Sequence, residues 1–87
     1  MLEEKVTIKN VTGLDLGPAG KLCNTAMQFR SSITFAYEGG SANAKSILSV
    51  LGSTIACGDE ITLHCEGPDE KEALAAMVEA IESGLGE

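Results

Sequence analysis

Two periods take turns along this chain. Glu3–Ile8 sets Glu4, Val6 and Ile8 against Lys5, Thr7 and Lys9, the alternation of a half-buried strand. Leu16–Phe29 changes period and gathers Ala19, Leu22, Cys23, Ala26 and Phe29 on one helical face. Ser32–Tyr37 returns to alternation, with Ile33, Phe35 and Tyr37 apolar. Glu38-Gly39-Gly40 then predicts a turn and Ser41–Ala44 a short returning strand. Ser46 opens a short apolar helix, Ile47–Leu51, with Gly52 near its end. Glu60–Glu66 alternates Ile61, Leu63 and Cys65 against Thr62, His64 and Glu66, until Gly67-Pro68-Asp69 stops it. Glu70–Ser83 is the last helix, rich in Ala, with acids in its first turn that suit the helix dipole.

The order is β-α-β-β-α-β-α. Strands with one apolar face and helices with one apolar stripe fit an α+β arrangement of two layers, with the helices on one side of a sheet. The other face of the sheet is then wet, and Lys5, Thr62 and His64 belong there. No linker, repeat or low-complexity tract divides the chain, so residues 1–87 are expected to form one domain.

Composition narrows this picture. The aromatic set is Phe29, Phe35 and Tyr37, so the core must be aliphatic. A net charge of −7 argues against nucleic acid and anionic membrane surfaces, which need Lys and Arg. No apolar run approaches the roughly 20 residues of a membrane span. Met1–Lys9 is charged and alternating, unlike a signal peptide, which makes the cytoplasm the expected location. Cys23, Cys57 and Cys65 form no close pair and His64 is the lone histidine, so no zinc pattern is present. The cysteines read as small buried hydrophobes.

The candidate chemistry lies in Thr12–Ala19, TGLDLGPA, where a sharp loop enters a helix. Asp15 stands at the N-cap, and Pro18 is tolerated because first-turn N–H groups have no intrahelical partner. Such a helix start is also an anion site.

The TG-x-x-x-x-PA segment at Thr12–Ala19, NAKSIL at Asn43–Leu48, EITLHCEGPDEKEAL at Glu60–Leu74 and the closing GLGE together resemble the histidine-containing phosphocarrier (HPr) family of the bacterial sugar phosphotransferase system. The resemblance runs from end to end. It implies an open-faced β-sandwich of four antiparallel strands and three helices, and a carrier or regulator that is not an enzyme and uses no cofactor. In the family, a histidine at the start of the first helix takes phosphoryl from enzyme I, helped by an arginine two positions later. The matching residues here are Asp15 and Gly17. A carboxylate is a weaker, fully charged nucleophile, and without a guanidinium no bidentate clamp holds the phosphoryl oxygens. His64 lies mid-strand and is no substitute.

Lys45-Ser46-Ile47-Leu48 resembles the family's regulatory serine site, modified by HPr kinase/phosphorylase with ATP. Ser46 also serves simply as a helix cap. The apolar residues Ile47, Leu48 and Leu51 match the patch that, with the first helix, docks phosphotransferase components, the kinase and the catabolite-control transcription factor. Val50 and Leu51 are the residues of this helix expected to be buried. On the first helix, Leu16, Gly17, Gly20, Asn24 and Met27 stand where the family commonly places arginine, lysine and other polar groups. Only Lys21 and Arg30 bring positive charge there. Ser53 replaces a usual apolar residue. The expected function is that of an HPr-like regulator switched at Ser46, like a relative in bacilli that lacks the histidine, keeps the serine and acts in carbon catabolite repression. The alternatives are a divergent carrier using Asp15, whose charge would also mimic a phosphate in part, or a recruited scaffold binding through Leu16, Met27, Ile47 and Leu48.

Overall fold

The computed structural model describes residues 1–87. It contains β1 (Leu2–Thr7), α1 (Leu16–Ala26), β2 (Ser32–Tyr37), β3 (Gly40–Asn43), α2 (Ile47–Gly52), β4 (Glu60–Glu66) and α3 (Glu70–Glu82). The four strands make one antiparallel sheet in the order β1-β4-β2-β3. The β-α-β-β-α-β-α order and the two-layer architecture read from the sequence are both present.

Period-two patterning explains the register. Val6 pairs with Ile61, and Leu63 with Phe35, so the apolar residues of three strands meet on the helix side. Phe35, Ile8, Leu22, Ile33, Ile61, Leu63, Met77 and Ile81 are the largest fully buried side chains, and burying each is worth about 1.5–3 kcal/mol relative to exposure. α3 packs on β1 and β4, α2 lies beside β3, and α1 contacts both other helices. On the opposite face Lys5 pairs with Thr62, and Glu3 with His64, as the alternation predicted. There His64 Nδ1 lies 3.0 Å from Glu3 Oε2.

Several boundaries differ from the sequence reading, each for a local reason. α1 ends at Ala26, three residues before Phe29, because Gln28 and Phe29 bond back to Thr25 and Ala26 and tighten the last turn. Phe29 and Cys23 are accordingly only half-buried, at the edge of the stripe. β1 stops at Thr7, where Ile8 leaves the ladder; its N–H bonds instead to Asp59 O at 2.9 Å, and its side chain stays in the core. β3 spans Gly40–Asn43, one residue earlier than expected. α3 ends at Glu82, with Ser83 as its C-cap. Of the three cysteines only Cys65 is a buried hydrophobe; Cys57, on the loop after α2, is exposed.

Two contacts outside regular structure fix how helices meet strands. Asp69 stands at the N-cap of α3 but makes no cap bond of its own. Its carboxylate accepts from the Arg30 and Ser31 N–H groups at 2.9 Å each and from the Ser31 hydroxyl. Gly67, at φ 151°, makes this approach feasible, since a Cβ there would stand 2.7 Å from Ser31 Cα. The second contact holds the loop before α1. Glu87 accepts from the Thr12 hydroxyl at 2.8 Å and from Asn10 Nδ2 at 3.3 Å, and Leu14 N–H bonds to Ile55 O at 2.9 Å.

Candidate functional site

The candidate residues lie at two helix starts on neighbouring helices. At the first, Asp15 has extended backbone and caps α1, as its position predicted. Its carboxylate turns back onto the adjacent Leu16 N–H at 2.9 Å, rather than onto a donor further into the first turn. Its carbonyl accepts from Ala19 N–H at 2.7 Å, and Pro18 has no N–H to offer. Of the donors that make a helix start attractive to anions, Gly17 N–H alone is left outside these bonds. Gly17 is exposed, and a Cβ there would meet nothing within 4 Å. The mouth therefore has room for a long side chain and none in place. It carries one full negative charge where an anion would bind. No group of three or more His, Cys, Asp or Glu residues is arranged to hold a metal ion that would offset that charge.

At the second start, Ser46 has extended backbone and its hydroxyl accepts from Ser49 N–H at 3.2 Å, the N3 position of α2. The preceding turn is built by Asn43. Its Oδ1 accepts from Lys45 N–H at 3.0 Å, and its carbonyl accepts from Ser46 N–H at 3.0 Å. Its own N–H donates to Ser49 Oγ at 2.9 Å. Ala44, between them, is fully buried and its N–H bonds to Ile33 O, tying the turn to the sheet. The NAKS segment is thus a compact turn that presents Ser46 half-exposed at the head of α2.

The predicted docking residues form one surface because α1 and α2 pack side by side. Gly20 faces Ile47 across this packing, where a Cβ would lie 3.9 Å from Ile47 Cδ1, an ordinary contact distance. Leu48 is 78% exposed, Leu16 66% and Met27 62%, which makes three of the five large exposed apolar side chains of the chain members of this face. Asn24 is exposed among them. Ile47 and Leu51 are half-buried and pack on the core, so they flank the face more than they project from it. For Leu51 this corrects the expectation of burial; Val50 is fully buried as expected. Ser53 is buried despite its hydroxyl, which donates to Val50 O at 2.6 Å.

Sequence reasoning missed two participants. Lys45 reaches from the NAKS turn to Phe29 O at 2.7 Å, beyond the end of α1. Ser49 serves as acceptor for Asn43 as well as donor to Ser46. Ser49, three residues after a capping serine, carried a sequence signal; the reach of Lys45 to Phe29 had none, since its partner is a main-chain carbonyl 16 residues away.

Comparison with known proteins places the chain among relatives. The family described as "PTS HPr component phosphorylation site" matches residues 2–83. HPr-like protein Crh of Halalkalibacterium halodurans is 40% identical over 82 residues, covering 94% of this chain and 98% of that protein. The crystal structure of HPr-C-His from Thermoanaerobacter tengcongensis superposes with a TM-score of 0.96 at 40% identity, covering 100% of this chain and 98% of the other. The solution structure of Crh, the Bacillus subtilis catabolite repression HPr, gives 0.67 at 32% identity, over 92% and 95% of the two chains. An HPr and a Crh match at the same 40%, so overall identity does not separate the two types. The residues of the mouth have to.

Proposed function

This chain belongs to the HPr family, and from that premise we propose that it is a cytoplasmic regulatory docking protein, switched by phosphorylation at Ser46 and carrying no phosphoryl group on histidine. The observation that carries the reading is the state of the α1 start. Asp15 occupies the acceptor position and spends its carboxylate on Leu16 N–H, while Gly17 leaves the clamp position empty. Phosphoryl transfer to this point would bring a dianion against a carboxylate with no guanidinium and only one free helix donor, Gly17 N–H, to offset the repulsion. An acyl phosphate on Asp15 has the same obstacle.

Ser46 has the features the switching role requires. It is half-exposed, stands at a helix start, and lies two residues from Leu48, the most exposed apolar side chain of the face. A phosphate there adds about −1.5 to −2 charges beside Leu16, Met27 and Leu48 without disturbing the core. A partner that reads the phosphate together with an apolar face gains both affinity and discrimination. By family resemblance the partners are HPr kinase/phosphorylase and the catabolite-control transcription factor. Docking of phosphotransferase components through the same face is weakened by the scarcity of cations around it, since α1 and its closing turn contribute only Lys21 and Arg30, and the Lys45 ammonium is engaged by Phe29 O.

The test is intact mass after incubation with ATP and HPr kinase, alongside incubation with enzyme I and phosphoenolpyruvate. One added phosphate from the kinase, absent in Ser46→Ala, and none from enzyme I is the expected result. Uptake from enzyme I that disappears in Asp15→Ala would replace this reading with the divergent carrier. No uptake from either, with both enzymes active on an ordinary HPr, would leave the recruited scaffold.

A further inference from the structure

α1 ends without a basic residue in its last turn, so nothing on the helix itself answers the negative end of its dipole. The ammonium group that lies at this end comes from another element. Lys45, on the turn before α2, donates from Nζ to Phe29 O at 2.7 Å, and its side chain is half-buried along the way. Phe29 belongs to the tight turn that follows α1, with its N–H on Ala26 O at 3.2 Å. Met27, one of the exposed apolar residues of the docking face, lies in the same turn and bonds back to Cys23 O at 2.9 Å. The backbone of Lys45 is fixed by Asn43 Oδ1, so the side chain spans between a rigid turn and the end of a neighbouring helix. It is the only lysine in the chain whose ammonium is held by a main-chain carbonyl; Lys9, by comparison, pairs with Glu82.

We propose that Lys45 couples Ser46 to the end of α1, so that phosphorylation at Ser46 is felt at Met27 on the other helix of the docking face. This rests on the reading of Ser46 as a switch and deepens it. The phosphate arrives on the residue next to Lys45 in the chain, whose ammonium sits on a flexible four-carbon stem. Against it stands a single neutral carbonyl. An ion–dipole bond competes poorly with attraction to a dianion, so Nζ leaves Phe29 O for the phosphate. The turn Met27–Arg30 then loses the one cation that stabilised its carbonyls, and Met27 loses its fixed position. A modification on α2 thereby alters both halves of the face, one by charge and the other by release of a tether. Arg30 is the nearest other cation in sequence to Phe29; its N–H is held by Asp69, which anchors that side of the turn independently of Lys45.

The experiment uses the whole chain with phosphoserine encoded genetically at position 46, so that its result does not depend on any kinase. Backbone amide exchange and chemical shifts of Met27–Arg30 are compared with and without the phosphate, in wild type and in Lys45→Met, which keeps the stem and removes the ammonium. In wild type the phosphate should raise exchange at Phe29 by about tenfold or more, the loss of one bond from a charged donor, and the Lys45 ammonium signal should move. In Lys45→Met the amides should already exchange faster and respond little to the phosphate. Unchanged Met27–Arg30 amides in phosphorylated wild type would overturn the coupling. So would an equal response in Lys45→Met, which would make it a long-range effect of the phosphate field. Failure of HPr kinase to modify Ser46 would sink the switching role separately, because the encoded phosphoserine reports on the coupling either way.

Discussion

The starts of α1 and α2 lie on adjacent helices and both carry a side chain that caps its own helix, yet they are built differently. At α1, Asp15 bonds to the next N–H in the chain, Pro18 subtracts a donor, and Gly17 projects nothing. Glu87 holds the loop before it through Thr12 and Asn10, but no side chain from elsewhere bonds to Asp15, Leu16 or Gly17. At α2, Ser46 reaches the N3 donor, and Asn43, Ser49 and Lys45 tie the turn to itself, to the sheet and to α1. A helix needs only a cap. The additional bonds around Ser46 exceed that need, whereas the α1 start contains the cap and little more. The difference teaches that one helix start is closed by its own first residues, while the other is built into the structure around it.

The largest effect that would break this comparison is a gain of phosphoryl transfer at α1. Asp15→His with Gly17→Arg supplies a neutral nucleophile and a guanidinium at positions where the backbone is already at a helix start and where space is open. Removing a single electrostatic donor from a reaction site typically costs about 10²–10³-fold in rate, so the double variant should take phosphoryl from enzyme I at least about 100-fold faster than wild type. Asp15→His alone should gain far less. Phosphoenolpyruvate-dependent labelling over time measures both. If the double variant stays inert, the loss at this site extends beyond the two residues, into the surrounding docking surface.

A second aspartate sharpens the contrast by working at the far end of α1. The Ser31 hydroxyl first, then the Arg30 and Ser31 N–H groups, hold the Asp69 carboxyl down at about 2. A folded-state value below the unfolded one, about 3.9 for an ordinary Asp, means that the unfolded chain binds the proton more readily. The stabilisation is therefore complete above about pH 5 and lost as pH falls through 4 toward 2. Glu70, held low chiefly by Gly67 N–H, and Glu87, held low chiefly by the Thr12 hydroxyl, act in the same direction. Urea midpoints followed from pH 6 to pH 2 should fall steeply in that window for wild type. Asp69→Asn should be less stable at pH 6 and show a slope shallower by close to one proton. An unchanged slope would mean that the carboxylate is not paired in solution.

Much of the fold was legible because periodicity reports burial directly. β1, β2, β4, α1 and α3 were located chiefly by their apolar spacing and β3 and α2 by the turn and cap before them, and β4, with Ile61, Leu63 and Cys65 inward, was located to the residue. What failed were ends and edges. α1 could not be ended correctly because the closing turn, Met27–Phe29, keeps helical spacing while its hydrogen bonds have shortened. Cys57 was misread because a loop cysteine and a core cysteine look alike without a period to set the face. The candidate site divides along the same line. Asp15 and Ser46 were recognisable as helix caps from residue type and local spacing, whereas Gly17 and the surface residues Leu16, Met27 and Leu48 were singled out by resemblance to the family. Lys45 to Phe29 and Glu87 to Thr12 were not, because such pairs depend on tertiary placement and leave no pattern along the chain.

The two caps themselves provide a smaller and more direct comparison. Ser46→Ala removes the bond to Ser49 N–H and should cost about 1 kcal/mol, whereas Asp15→Ala should cost about 0.5 kcal/mol, since its bond is to the adjacent residue and others in the first turn are unserved. Equilibrium urea unfolding at pH 7 resolves the difference. Equal losses would show that the extra bonds around Ser46 do not add to its value as a cap, and would weaken the case that this turn is specially maintained.

The smallest effect concerns the exit of α2, which is as strained as its entry is well supported. Thr54 follows the C-cap Ser53 with φ at 51°, a left-handed conformation that a β-branched side chain adopts at a cost of about 1–2 kcal/mol. Its N–H bonds to Leu51 O at 3.2 Å and its hydroxyl to Ser53 O at 2.7 Å, so the geometry is held by the helix end it terminates. Thr54→Gly relieves the strain and loses the hydroxyl bond, while greater freedom in the unfolded chain takes back part of the gain. The net expectation is a stabilisation of about 0.5 kcal/mol, read as a higher urea midpoint at constant slope. A destabilised variant would mean that the Thr54 hydroxyl holds the end of α2 in the way Asn43 and Ser49 hold its beginning, and the asymmetry within this helix would disappear.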